Sequence, residues 1–492
     1  MNKRIVFHIL GRIICAVSLL MLLPIAVAVY YKEYGDNRAL FSFAAVAVAG
    51  YVCGKIMSKV FPATDRTMYA KEGFYIVSIA WIAVSVIGAL PFVISGEIPN
   101  FTDAFFETVS GFTTTGASVV ANVENLSRSM LFWRSFTHFI GGMGVLVFVM
   151  AIIPSVSERS IHILRAEMPG PTVDKIVPRA TDTAKILYII YIGLTAFEIC
   201  MLYFGKLAGI GNMPLFDSVI HSFGTAGTGG FSMKSASIAA YSPYDQWVIG
   251  SFMLVFGINF NVFYLLIIKR TVSAFKSSEL WTYLSIVLVS VGLIAVNIYN
   301  VTNGFSKTAR DSFFQVSSII STTGYATADF DTWPTFSKTI LLLLMIIGAC
   351  GGSTAGGIKV SRVILIFKMI KRKMKSLLQP RVVKTLRVDG KPVDEATVSG
   401  VAVYTVVYFV LIVLIMLILA LESNFDIESN LSATLACFNN IGPGLSKVGP
   451  TLNYASYSVL SKIVLSIAML LGRLEIFPIL LFIIPSSWRK VR

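Results

Sequence analysis

Ser321-Thr322-Thr323-Gly324-Tyr325 closes a segment, Arg310 to Ile320, that is too short to cross a bilayer and lies between two long apolar runs. Three other stretches share its pattern. Thr113-Thr114-Thr115-Gly116-Ala117 is nearly identical, Ala226-Gly227-Thr228-Gly229-Gly230 is a clear relative, and Asn439-Asn440-Ile441-Gly442-Pro443 is a degenerate one. Successive copies lie roughly a hundred residues apart, the size of a unit with two spanning helices and a re-entrant loop between them.

The surrounding composition is that of a membrane protein. Of 492 residues, 55% are hydrophobic and only 14% charged, against about 25% charged in soluble domains. Many apolar runs reach the ~20 residues needed to cross the hydrocarbon core. The net charge of +15 invites a nucleic-acid reading, but the basic residues fall in alternate loops, as the positive-inside rule requires. No nucleic-acid partner is therefore expected. The five cysteines (Cys15, Cys53, Cys200, Cys350, Cys437) form no CxxC pair, which excludes a disulfide framework or zinc site. The histidines (His8, His138, His162, His221) have no ligand spacing, and no HExxH motif or Ser/His/Asp set is present, so an enzyme is not expected. The first apolar run, Ile5 to Tyr31, continues past Pro24 without a small-residue cleavage site and reads as a retained helix rather than a signal peptide.

Taken in order, the chain divides into an N-terminal transmembrane hairpin (1–68) and four repeats (69–160, 161–278, 279–395 and 396–492). Each repeat has an outward span, a short helix with its pore loop, and an inward span. The expected outward spans are Phe74 to Ser95, Ala184 to Phe204, Leu280 to Tyr299 and Val398 to Leu421. The short helices are Phe101 to Phe112, Leu215 to Phe223, Arg310 to Ile320 and Ile427 to Phe438, and the inward spans start near Met130, Trp247, Ile340 and Val459. About ten spanning and four half-helices result. The predicted fold is an all-α polytopic membrane protein with pseudo-symmetric repeats around one pore. All repeats enter from the same side, so they are parallel, unlike the inverted repeats of many carriers. Basic residues after the second span (Lys55, Lys59, Arg66, Lys71), after the first repeat (Arg159, Arg165, Lys175, Arg179) and at the end (Arg489, Lys490, Arg492) place both termini in the cytoplasm.

An acidic residue precedes each turn: Asp103, Asp217, Asp311 and Glu428. Carboxylates favour helix N-termini. Each short helix would then aim its negative C-terminal end at the turn, which suits a cation. Ion selectivity requires protein oxygens in place of water, and rings of backbone carbonyls with threonine hydroxyls supply them for potassium. Glycine permits the unusual φ/ψ this needs, and non-helical backbone at membrane depth is tolerated where it lines water. The candidate potassium filter is therefore Thr114, Thr115 and Gly116; Gly227, Thr228 and Gly229; Thr322, Thr323 and Gly324; and Asn440, Ile441 and Gly442. A lone Thr-Gly is usually a surface turn; four at matching positions are not. An ion-coupled secondary transporter of another cation or solute is the alternative, although such carriers favour inverted repeats.

With these residues in view, the four-fold short helix followed by TTTG, AGTGGFS, STTGYATADF and NNIGPG resembles the Trk/Ktr/HKT superfamily of potassium uptake proteins. The likeness covers essentially the whole chain, and the N-terminal hairpin makes it most similar to the bacterial Trk membrane subunits. It implies potassium as the transported ion, no cofactor in this chain, and the bacterial inner membrane as location. It also implies a homodimer and a cytoplasmic nucleotide-binding (NAD/ATP-type) regulatory subunit. Glycine at all four filter positions goes with potassium preference in that superfamily, and serine at the first with sodium permeation; Gly116 is present here. The fourth loop departs by lacking threonine.

Two further features lie inward of the filter. The span from Leu341 is broken by Gly348 and by Gly351, Gly352, Ser353, Thr354, Ala355, Gly356 and Gly357, and resumes at Ile358. Each such glycine destabilises helix by roughly 1 kcal/mol relative to alanine. The break reads as a water-lining loop, and the resemblance implies a gate; helix packing of the GxxxG kind is the rival reading. Arg473, inside the final span, is costly in membrane. It reads as a pore-facing charge that helps hold the loop closed, against a local pairing with Glu475. His138, beside Gly141-Gly142-Met143-Gly144, reads as close packing rather than a site. The basic stretch Lys359 to Lys391 reads as a cytoplasmic extension, for anionic lipid or, by resemblance, for the regulatory subunit.

Overall fold

Pro24 breaks the first apolar run, because it lacks the N–H that would continue the helical ladder. The run becomes α1 (Lys3–Leu20) and α2 (Leu22–Tyr30), and α3 (Ala39–Val60) packs back against them as the hairpin's second arm. In this computed structural model the described residues are 3–34, 38–62, 70–144, 180–269, 271–302, 304–379 and 385–484.

The first repeat comprises α4 (Ala70–Ser95), the short α5 (Phe101–Phe112) and α6 (Arg128–Gly142). The second comprises α7 (Ala180–Leu207), the short α8 (Leu215–Gly227), α9 (Pro243–Phe256), α10 (Phe260–Ile267) and the brief α11 (Thr271–Phe275). The third comprises α12 (Ser278–Thr302), the short α13 (Phe305–Ile320), α14 (Thr335–Ile347) and α15 (Val360–Leu378), followed by the two-stranded hairpin β1 (Arg387–Val388) and β2 (Lys391–Pro392). The fourth comprises α16 (Glu395–Leu419), the short α17 (Ile427–Phe438), α18 (Val459–Arg473) and α19 (Phe477–Ile483).

The outward helix faces are apolar, unlike those of a water-soluble protein, while a set of polar side chains lies buried within the apolar core. Serines and threonines of the short helices, such as Thr108, Ser110, Ser222, Ser317 and Thr434, are fully buried. Leu288, Val296, Val406 and Leu417 of α12 and α16 are exposed, as lipid-facing residues should be. Side-chain caps set the starts of the elements. Asn100 accepts from Thr102 N at 2.9 Å to begin α5, and Asp426 accepts from Ser429 N at 2.7 Å to begin α17. Glu33, in the turn after α2, accepts from Arg128 N at 2.6 Å and so fastens the N-terminal hairpin to the first repeat.

Several expectations change. The inward spans are not continuous. In the second repeat, α9 and α10 are bent by 90° at the Gly257-Ile258-Asn259 break. In the fourth, α18 and α19 are separated by Glu475 and Ile476, both with left-handed φ (57° and 68°). Among the described residues, six helices are long and apolar enough to cross a membrane alone, or seven if the bent pair is one span; the ten expected spans include these broken ones. The third short helix begins at Phe305 rather than Arg310, with Gly304 at its N-cap. Asp103, Asp217 and Glu428 lie in the first turns of their short helices as expected, and Asp311 lies further along α13, but none of the four is the N-cap. Instead Asp103 pairs with Lys462 at 2.7 Å, Asp217 accepts from Tyr241 Oη at 2.8 Å, and Glu428 pairs with Lys338 at 3.0 Å. The inward continuation past Gly144, the basic residues Arg66, Arg159, Arg165, Lys175, Arg179, Arg381 and Lys384, and the C-terminal Arg489, Lys490 and Arg492 lie outside the described residues.

Candidate functional site

Each short helix ends in the same backbone motif. Thr114, Thr228, Thr322 and Asn440 take left-handed φ of 57°, 55°, 57° and 55°. The N–H of each donates three residues back, to Gly111, Thr225, Ile319 and Cys437. The N–H of the following residue donates five back, from Thr115 to Ser110, Gly229 to Gly224, Thr323 to Ser318 and Ile441 to Ala436, at 2.8 to 2.9 Å. This is the Schellman termination of a helix, with its left-handed position usually taken by glycine. Two residues later a glycine takes positive φ: Gly116 (78°), Gly230 (81°), Gly324 (82°) and Gly442 (97°).

The four loops meet in a closed ring. A Cβ on Gly116 would fall on the carbonyl oxygen of Gly229, one on Gly230 on that of Thr323, one on Gly324 on that of Ile441, and one on Gly442 on that of Thr115. All four separations are under 3.0 Å, closer than real Cβ atoms come. Each loop thus sets the carbonyl before its own glycine against the glycine of the loop preceding it, and the order around the axis is first, second, third, fourth and back to first. Asn440, which stands where the other loops have threonine, donates from Nδ2 to Thr115 Oγ1 at 3.0 Å across the fourth-to-first junction. The glycines Gly116, Gly230, Gly324 and Gly442 together line a cavity of about 130 Å³.

The glycine-rich break of the third repeat lies against the other side of this ring. Backbone bonds from Ile358 N to Ile346 O (3.1 Å), Lys359 N to Ile347 O (2.9 Å) and Val360 N to Ala349 O (2.9 Å) close its stem, leaving a compact loop. Gly356 N donates to Thr322 Oγ1 at 2.6 Å, so the loop reaches the third filter turn. Gly352 O accepts from Phe260 N at 3.1 Å, at the bend between α9 and α10. Arg473, 9% exposed, donates from Nη1 to Thr354 O at 2.8 Å and from Nη2 to Gly141 O. Its guanidinium therefore ties the loop to the end of α6. Glu475 pairs instead with Arg362 of α15.

With this geometry in hand, comparison with known proteins is direct. Residues 44–490 match the TrkH family, described as cation transport proteins. The chain belongs to the TrkH family. The Trk system potassium uptake protein TrkH of Salmonella typhimurium is 34% identical over 497 residues, covering 100% of both chains. TrkG of Escherichia coli (strain K12), also a Trk system potassium uptake protein, is 35% identical over 497 residues, covering 99% of each. The crystal structure of the potassium transporter TrkH from Vibrio parahaemolyticus superposes with a TM-score of 0.87 at 31% identity, over 99% of this chain and 100% of that one. This TrkH-family chain is accordingly a multi-pass membrane transport protein and not an enzyme.

Within the TrkH-family chain, the structure brings all four predicted filter stretches together but shifts the second by one residue. Sequence spacing pairs Gly229 with Gly116, Gly324 and Gly442. The backbone pairs Gly230 with them and Gly229 with Thr115, while Gly227 falls in the last turn of α8. Two adjacent glycines after Thr228 made both registers available; only the carbonyl ring separates them.

Sequence reading missed the supports behind the ring. Glu107 of α5 is 1% exposed and pairs with Arg134 of α6 at 2.6 Å. It also accepts from Val119 N at 2.9 Å, just past the first turn. Arg134 lies over the Phe231 ring at 4.0 Å and donates to Ser232 O at 3.3 Å, joining the first and second loops. At the matching place on α8, His221 Nε2 bonds Ser232 Oγ at 3.0 Å, and on α17, one residue before the matching place, Ser432 Oγ accepts from Leu445 N at 2.9 Å. His138 is more than packing: Nδ1 bonds Gly111 O at 2.7 Å and Nε2 accepts from Phe231 N at 3.2 Å, fixing a neutral imidazole behind Gly229. The signal was available, since Glu107 and Arg134 are charges inside otherwise apolar segments.

Proposed function

We propose that this chain takes up potassium across the bacterial inner membrane through a filter of backbone carbonyls. The filter comprises Thr114, Thr115 and Gly116; Thr228, Gly229 and Gly230; Thr322, Thr323 and Gly324; and Asn440, Ile441 and Gly442. A dehydrated alkali cation exchanges its water for carbonyls drawn from all four loops. The observation that carries this reading is the closed ring in which each carbonyl abuts the neighbouring glycine. The short helices α5, α8, α13 and α17 direct their negative C-terminal ends at that ring. Potassium as the ion is supported by the full-length relatives, which are Trk system potassium uptake proteins.

The loop made by Gly351, Gly352, Ser353, Thr354, Gly356 and Gly357 is the barrier below the filter, held by Arg473 and Thr322. The positive charge of Arg473 discourages cation occupancy beneath the ring until the loop moves. Both termini lie in the cytoplasm, the chain works as a homodimer, and a cytoplasmic nucleotide-binding subunit regulates it; these rest on charge distribution and on the superfamily resemblance. The test is growth rescue of a potassium-uptake-deficient bacterium at low external potassium. Wild type should restore growth. Gly116→Ser, Gly230→Ser and Gly324→Ser should each lose it or admit sodium. Unchanged uptake and unchanged potassium-over-sodium preference in all three would defeat the reading.

A further inference from the structure

Glu279 stands at the cytoplasmic start of α12, outside the filter and the glycine-rich loop, and no part of the function above uses it. Its Oε1 accepts from Gly351 N at 2.7 Å and from Ser361 N at 3.1 Å. Gly351 is at the beginning of the glycine-rich loop, and Ser361 is in the first turn of α15, immediately after it. One carboxylate oxygen therefore bridges both ends of the loop, and its charge meets the positive end of the α15 dipole. Charge-assisted bonds of this kind are about twice as strong as neutral ones.

The residue next to Glu279 leads to the cytoplasmic surface. Ser278 N, at the start of α12, donates to Asp389 Oδ1 at 3.0 Å. Asp389 and Gly390 form the turn of the β1–β2 hairpin, with φ of 50° and 78°, the type I′ geometry that Asp-Gly favours. The hairpin is held to α15 by Lys368 Nζ, which donates to Arg387 O at 2.8 Å. A continuous set of bonds thus runs from an exposed hairpin, through the start of α12, to both ends of the loop.

We infer that Glu279 is the latch that keeps the glycine-rich loop seated, and that the hairpin at Asp389 is the handle by which displacement on the cytoplasmic side releases it. Glu279 is a positioning residue: it touches the loop, not the ion. A pull on the hairpin removes the cap from α12, shifts its first turn and withdraws the carboxylate from Gly351 and Ser361. The inference rests on the reading of this loop as the barrier.

The test uses the purified full-length chain in planar bilayers with potassium alone and no cytoplasmic partner. Glu279→Ala should raise the open-to-closed ratio by about a hundredfold or more, the effect of losing two charge-assisted bonds in the closed state. Unitary conductance and potassium-over-sodium selectivity should stay at wild-type values. Glu279→Gln, whose amide oxygen still accepts but carries no charge, should give a smaller rise, and it covers the case in which the alanine variant fails to fold. Asp389→Ala should raise the open fraction less than Glu279→Ala. An unchanged open fraction in both Glu279 variants, or a fall in conductance or selectivity without a rise in opening, overturns the latch. An unchanged open fraction in Asp389→Ala overturns the handle. Removal of residues 352–355 separates the two layers of argument. If that removal raises flux while the Glu279 variants do not, the latch alone fails; if it leaves flux unchanged, the barrier reading fails too.

Discussion

Thr114, Thr228, Thr322 and Asn440 hold left-handed backbone that costs a non-glycine residue roughly 1–2 kcal/mol. Such strain persists where the surroundings over-determine it, commonly at functional sites. Two of these side chains bond another loop: Thr322 Oγ1 accepts from Gly356 N, and Asn440 Nδ2 donates to Thr115 Oγ1. Thr322→Gly should therefore lose the hydrogen bond from Gly356 and weaken closure, visible as raised basal potassium leak, while Thr114→Gly should gain about 1 kcal/mol in thermal unfolding. Glu107→Gln leaves Arg134 buried without its charge partner and should cost about 3 kcal/mol or more, read as a lowered melting temperature in detergent. At this scale the sequence was informative wherever the chemistry is local. The Thr-Thr-Gly and Ile-Gly spacings located three of the four turns to the residue. The second was ambiguous because Gly229 and Gly230 are equally permissive, and a neighbour 93 positions beyond Gly230, Thr323, selects between them.

Elements were legible as types more than as shapes. Long apolar runs and short amphipathic helices could be read from hydropathy, but the breaks in α9–α10 and α18–α19 could not, because the residues on either side remain apolar. Gly257 and Asn259 at the first break, and Gly472-Arg473, Glu475 and Pro478 at the second, were the local marks. A Cβ on Gly141 of α6 would fall on the carbonyl oxygen of Phe112, and one on Gly472 of α18 on that of Phe438, so α6 and α18 each press against the end of their own short helix. Overpacking of this kind costs 1–3 kcal/mol. Gly141→Ala and Gly472→Ala should each displace the adjoining filter turn and reduce rubidium uptake by roughly tenfold with the protein still inserted. Equal uptake in both variants would show that the inward helices do not set the turns.

Across the whole molecule, an N-terminal hairpin ahead of four parallel repeats could be expected from charge and spacing. Its attachment could not, because Glu33 and Arg128 are 95 positions apart and neither sits in a motif. Glu33→Ala removes a cap of the sort worth about 0.5–2 kcal/mol. It should lower thermal stability by that amount while leaving potassium-over-sodium preference unchanged, measured by competitive flux in proteoliposomes. A change in preference would mean that the hairpin bears on the filter.

Because Gly442 lies against the carbonyl of Thr115, the last quarter of the ring is supplied by a segment synthesised more than three hundred residues after the first. A nascent chain that has inserted three repeats has an open-sided cleft, not a conduit. On the filter reading proposed above, ion passage switches on only when translation is nearly finished, and a prematurely terminated product should leave the cell's ionic gradients intact.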